Sequence, residues 1–85
     1  MQETPEARIK RLKMRSMRRG IKEMDLILQA YAERNLDAMD DAGLTLYDAL
    51  LQENDQDLYQ WVTGQVETPE PYAKLMQDIA QTFQK

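Results

Sequence analysis

Three features of this 85-residue sequence predict an all-α fold, a compact five-helix bundle in a single domain. Apolar residues recur at i, i+3, i+4 and i+7 in successive segments, the pattern of helices with one buried face. Thr-Pro-Glu occurs twice ahead of such a segment, at Thr4-Pro5-Glu6 and Thr68-Pro69-Glu70. Each copy supplies an N-cap hydroxyl, a proline suited to the first helical position and a carboxylate at the positive end of the helix dipole. The connections are brief, and no segment reads as a strand. Helices that each carry one apolar stripe must then bury those stripes against one another. The domain covers residues 1–85, with a core from about 8 to 83.

The first helix is predicted from Pro5 to Met17. Ile9 and Leu12, with Met14 and Met17, make a narrow apolar stripe, and Arg8, Lys10, Arg11, Lys13, Arg15 and Arg18 cover much of the remaining surface. The second, Ile21 to Arg34, has the clearest periodicity of the first half through Met24, Ile27, Leu28 and Tyr31, and is expected at the centre of the bundle with Asn35 as its C-cap. Asp40 or Asp41 caps a third helix from Asp41 to Glu53, with Leu44, Tyr47, Leu50 and Leu51 inward and Gly43 weakening its first turn. Asp55 caps a fourth from Gln56 to Thr63, with Leu58, Trp61 and Val62 buried and Gly64 at its end. The last runs from Pro69 to Phe83, with Tyr72, Leu75, Met76, Ile79 and Phe83 on one face.

Between the first two helices lies Arg19-Gly20-Ile21-Lys22-Glu23. Gly20 is the only glycine of the first half and falls between two helical runs, so the chain is expected to turn there. Two readings of this corner stand side by side. A glycine at a helix end with an ordinary Arg19–Glu23 ion pair is purely structural. Alternatively, a residue without a side chain lets a partner approach closely while Arg19, Glu23 and Asp25 orient it.

Composition removes several classes of function. The chain has no cysteine and no histidine, which excludes disulfides, thiolate or imidazole metal ligands, cysteine nucleophiles and histidine-dependent triads. No apolar run approaches the roughly 18 residues that cross a bilayer, and the N-terminus has no apolar signal-peptide centre. Retention in the compartment of synthesis is expected, without membrane insertion. Net charge is −4, distributed unevenly: residues 1 to 23 hold eight Lys or Arg against three Glu, the remainder three against twelve acids. The basic segment suits either an acidic partner, with Arg11 and Arg15 steering the encounter, or the acidic body of the same chain. Likewise the six methionines suit either an adaptable binding surface or the filling of a small core.

The string R-G-x-x-E at Arg19, Gly20 and Glu23, the following Met24-Asp25-Leu26-Ile27-Leu28, the upstream Arg15 and Ser16, and the later Asp55-Gln56-Asp57-Leu58-Tyr59-Gln60-Trp61 together resemble the FAD assembly factors of succinate dehydrogenase. These are small five-helix proteins of bacteria and mitochondria, and the resemblance covers roughly Arg8 to Ile79. The chain differs from their common pattern at Gln29, Ala30 and Gln56. The resemblance implies an assembly factor, not an enzyme. Such a factor binds the flavoprotein subunit of succinate dehydrogenase or fumarate reductase and promotes covalent attachment of FAD to a histidine of that subunit. It places the partner surface at Arg19, Gly20 and Glu23, with Asp25 beside them, and leaves the FAD with the partner and no cofactor on this chain. It also implies a bacterial cytoplasm or, in a eukaryote, the mitochondrial matrix. The competing expectation is a helical interaction module, antitoxin-like or nucleic-acid-associated, working through the basic first helix. Overall acidity and the absence of aromatics among the basic residues favour no nucleic acid as partner.

Overall fold

Thr4 starts the first helix as expected: its Oγ1 accepts a hydrogen bond from the Ala7 N–H at 3.1 Å, and Pro5 lies in the first turn. A computed structural model describes residues 3–17 and 20–83. In chain order these form α1 (Pro5–Ser16), α2 (Lys22–Asn35), a 3₁₀ turn (Leu36–Ala38), α3 (Asp41–Leu50), α4 (Asp55–Thr63), a second 3₁₀ turn (Glu70–Tyr72) and α5 (Ala73–Phe83), with no strand among the described residues. The all-α, five-helix expectation holds.

The strongly periodic α2 occupies the middle, packed on α1 and α5 and touching α4, while α4 also packs on α5. Met24, Ile27, Leu28, Tyr31 and Ala32 of α2 are all buried, as are Leu12 of α1, Leu44, Tyr47 and Leu50 of α3, Leu58 and Val62 of α4, and Leu75, Met76 and Ile79 of α5. The rings of Tyr31 and Tyr47 stack with centroids 5.8 Å apart, a geometry that adds attraction beyond area burial. Arg34, Lys74 and most other charges of α2 and α5 lie on the outer faces.

The ends of the elements differ from the sequence expectation for local reasons. Asp40, rather than Asp41, caps α3, its Oδ1 accepting from the Gly43 N–H at 2.7 Å. That helix stops at Leu50, short of Glu53, because the chain tightens into i→i+3 bonds, with Gln52 N–H donating to Ala49 and Glu53 N–H to Leu50. For α4 the cap is Asn54, which accepts from the Gln56 N–H at 2.8 Å, and Asp55 is the first helical residue. Gly64 ends α4 in the left-handed region at φ 81°, where glycine carries no steric penalty. Asn35 closes α2 from inside, its Nδ2 donating to Tyr31 O at 2.9 Å, and Leu36 takes the C-cap position.

The two Thr-Pro-Glu copies part ways. The first opens an α-helix directly, whereas the second is followed by Pro71, and a proline disfavours the α conformation at the residue before it. The chain therefore makes a 3₁₀ turn over Glu70–Tyr72 and becomes α-helical only at Ala73.

Trp61 corrects a core assignment. It is half-buried and packs against the outside of the core, with its ring stacked on Tyr72 at a centroid distance of 6.1 Å. The hydroxyl of Tyr72 donates to Glu53 Oε2 at 3.1 Å, and burial, with that hydrogen bond second, raises the tyrosine's pKa above its ordinary value. Leu58, fully buried, is the interior anchor of α4. Leu58→Ala is expected to cost about 2 to 5 kcal/mol in urea unfolding, and Trp61→Phe, which keeps a ring for the stack, less than about 1.5 kcal/mol.

Candidate functional site

The corner begins where α1 runs out. The Met17 N–H turns back to Met14 O at 3.2 Å, and one residue earlier Ser16 is wholly buried. Its hydroxyl donates to Leu12 O at 2.7 Å and lies 2.6 Å from Tyr47 Oη, which locks the end of α1 onto α3 through a satisfied buried polar pair. Arg18 and Arg19 lie outside the described residues. Gly20 is exposed, and the following Ile21, extended, leads into α2 as its N-cap without a side-chain cap bond.

Glu23 and Asp25 both stand in the first turn of α2, where the helix dipole favours negative charge. Glu23 is exposed and Asp25 half-buried, so the acidic half of the motif faces solvent beside a residue with no side chain. Gly20 does not have the left-handed φ that would demand glycine; among the described residues only Gly64 does. What is close to it is Asp55: a β-carbon at position 20 would stand 3.2 Å from Asp55 Oδ2. Two strings far apart in the sequence thus meet through Gly20 of R-G-x-x-E and Asp55 of Asp55-Gln56-Asp57-Leu58. The sequence offers Asp55 as a helix cap and as the first residue of the later string of the family resemblance, and nothing in local spacing signals this contact.

The other two predicted site residues separate. The Arg11 guanidinium is held between two carboxylates, with Nη2 donating to Asp48 Oδ2 at 2.9 Å and Nε to Glu3 Oε2 at 2.8 Å. The hydrogen bonds it donates to Glu3 and Asp48 push its pKa up, and in return the hydrogen bond from Arg11 holds the Asp48 carboxyl below its ordinary range. Arg8 pairs similarly with Asp41 at 3.3 Å and donates to Thr45 Oγ1 at 2.9 Å, and Lys13 reaches Asp37 at 3.1 Å. Much of the basic first helix is therefore matched to the acidic body of its own chain, as one of the two sequence readings held. Arg15 stays exposed.

The methionines divide between the two expectations. Met24 and Met76 are core, whereas Met14 and Met17 are 47% and 42% exposed. With Ile9, Lys10, Lys13 and Asp37 they line a shallow groove of about 350 Å³ along the outer side of α1. Among the described residues no group of three or more acidic side chains is placed to hold a metal ion, and no helix is long and apolar enough to cross a membrane.

The described part of the corner, with Gly20, Lys22 and Glu23 exposed, stands at the surface of a small helical scaffold. Comparison with known proteins then supplies the family: residues 10–83 match the model described as "Flavinator of succinate dehydrogenase", and the chain belongs to that family. It is 40% identical over 84 residues to the mitochondrial succinate dehydrogenase assembly factor 2 of Meyerozyma guilliermondii, covering 98% of this chain and 62% of that protein. The factors of the same name from Schizosaccharomyces pombe and Danio rerio are 41% and 37% identical, over 82% and 89% of this chain and 50% and 49% of theirs. The chain thus spans about half to three-fifths of the length of these relatives.

The Asp48 carboxylate predicts a pH dependence. Because its folded pKa lies below the ordinary value of 3.8, its contribution to stability is complete above that pH and is lost as pH falls through the lower folded value. Asp48→Asn is expected to flatten the acid limb of a plot of melting temperature against pH, leaving Arg11 with Glu3 as its remaining partner.

Proposed function

We propose that this protein docks through its α1–α2 corner on the flavoprotein subunit of succinate dehydrogenase, or the related subunit of fumarate reductase, and promotes covalent attachment of FAD to that subunit. The observation that carries this reading is the coincidence of the family match over residues 10–83 with an R-G-x-x-E string whose Gly20 and Glu23 are both exposed. Arg19, Gly20 and Glu23 form the centre of the contact, and Asp25 supports it from within the same helical turn. Arg15, exposed one turn upstream, is the cation available for steering. Arg11, held between Glu3 and Asp48, contributes by fixing α1 on α3.

The chemistry asked of such a factor is positional. Joining a flavin carbon to a histidine nitrogen requires the two held in a reactive arrangement, and preorganisation of the partner provides this without an added catalytic group. A binder that prefers the reactive conformation of the flavoprotein shifts the population towards it. This chain has neither histidine nor cysteine, so the accepting histidine belongs to the partner; in this reading the FAD is the partner's as well, and the factor acts as a chaperone rather than as an enzyme. The intramolecular pairing of Arg8, Arg11 and Lys13 supports a protein partner over nucleic acid, since cations already matched by carboxylates release few counterions on a phosphate backbone. The mitochondrial relatives support the matrix as the working compartment in a eukaryote, and the cytoplasm is its bacterial equivalent.

Covalent flavin survives denaturation and fluoresces in a gel, which makes the proposal directly testable. Cells lacking this protein are expected to lose the fluorescent flavoprotein band, and wild-type protein to restore it. Gly20→Arg is expected to keep helical circular dichroism yet fail to restore the band, because a long charged side chain would cover the contact. Glu23→Ala acts in the same direction with little change in stability, as an exposed carboxylate contributes only about 0 to 1 kcal/mol to folding. A folded Gly20→Arg protein with full activity would remove the corner from the contact surface.

A further inference from the structure

The approach of Asp55 to Gly20 extends the docking surface beyond the motif. Asp55 is half-buried at the first position of α4, immediately after the Asn54 cap, so its backbone is fixed by a helix start. Its Oδ2 is so close to position 20 that even a methyl group there, at 3.2 Å, would force the carboxylate aside by a few tenths of an ångström. Gly20 has no conformational need to be glycine, since its φ is not left-handed. Two residues on, Lys22 opens α2 as an exposed cation, and opposite charge near a carboxylate is stabilising.

We propose that Asp55 is a positioning residue of the docking corner. Its carboxylate packs on the open side of Gly20, sets the spacing between the R-G-x-x-E turn and α4, and holds the turn in the form that presents Glu23. The glycine is then required on two sides, outwardly by the partner and inwardly by Asp55. This inference rests on the docking function argued above. It differs from a merely structural role, which would alter stability in step with activity; a positioning role alters partner affinity in a protein that melts normally.

The test measures affinity for the purified flavoprotein subunit and thermal unfolding on the same full-length preparations of wild type, Asp55→Asn, Gly20→Ala and the double variant. Asp55→Asn keeps the volume and removes the charge, and is expected to weaken binding about tenfold with a melting temperature within about 3 °C of wild type. Gly20→Ala, which displaces the carboxylate, weakens binding less. The double variant binds no more weakly than Asp55→Asn alone, because the methyl group displaces a side chain whose charge is already gone; contacting residues show this non-additivity. Wild-type affinity in Asp55→Asn, independent multiplication of the two losses, or losses that track unfolding in both Asp55→Asn and Asp55→Ser would overturn the role of Asp55. If Glu23→Ala abolishes binding while Asp55→Asn does not, the docking function stands and only this inference falls. Absence of binding by the wild-type chain removes both.

Discussion

The hydrogen bond between Ser16 and Tyr47, 2.6 Å long and entirely enclosed, is the interaction on which the geometry of the corner depends. Ser16 is the last residue of α1, and the chain turns immediately after it. Its hydroxyl also donates back to Leu12 O, so the end of α1 is referenced both to its own preceding turn and to α3. An enclosed hydroxyl left without a partner would cost about 1 to 3 kcal/mol. No enclosed side-chain polar atom among the described residues lacks a hydrogen bond. Such a buried pair gives the corner a defined starting point, which apolar packing alone, tolerant of small slides, specifies less sharply.

From that point the fold supports the corner with little material. Tyr47 carries the constraint inward through its stack on Tyr31 of α2, and α2 supplies the other arm of the corner. Both arms are thereby tied to the same core, while Gly20 and Glu23 remain at the surface. The third support comes from α4, whose first residue reaches the corner from outside the α1–α2 hairpin. A domain of this size has only one core, so a surface turn gains rigidity by being touched from several elements at once. The ion pairs of Arg8, Arg11 and Lys13 add to this by fastening α1 along its length to α3 and to the turn after α2. Pairs this exposed contribute modestly one by one. As a set they complement the charge asymmetry of the chain.

On the docking function proposed above, these details share one purpose. A factor that acts by stabilising one conformation of a partner needs a contact surface whose own shape does not relax on binding, because ordering a loose surface consumes the affinity it would deliver. A connection of few residues, with Ser16 enclosed at one end and Asp55 close to Gly20, meets that requirement better than a long loop.

The sequence by itself determined the helical class, the central place of α2, nearly all of the core and the existence of a turn at Gly20. Each of these follows from information local to a segment: the period of apolar residues, a capping side chain, a proline at a helix start, a glycine between two runs. Element ends such as Leu50, the Asn54 cap and the 3₁₀ turn before Ala73 were only partly legible, because neighbouring residues compete for the same cap and Pro71 acts on the residue before it. Tertiary structure alone decided that Trp61 stacks on Tyr72 outside the core, that Arg11 is spent on Glu3 and Asp48 while Arg15 is not, and that Asp55 reaches Gly20. All three depend on how helices remote in the chain are set against one another. Helical periodicity states which face of a segment is buried; it carries no record of which side chain of another segment arrives there.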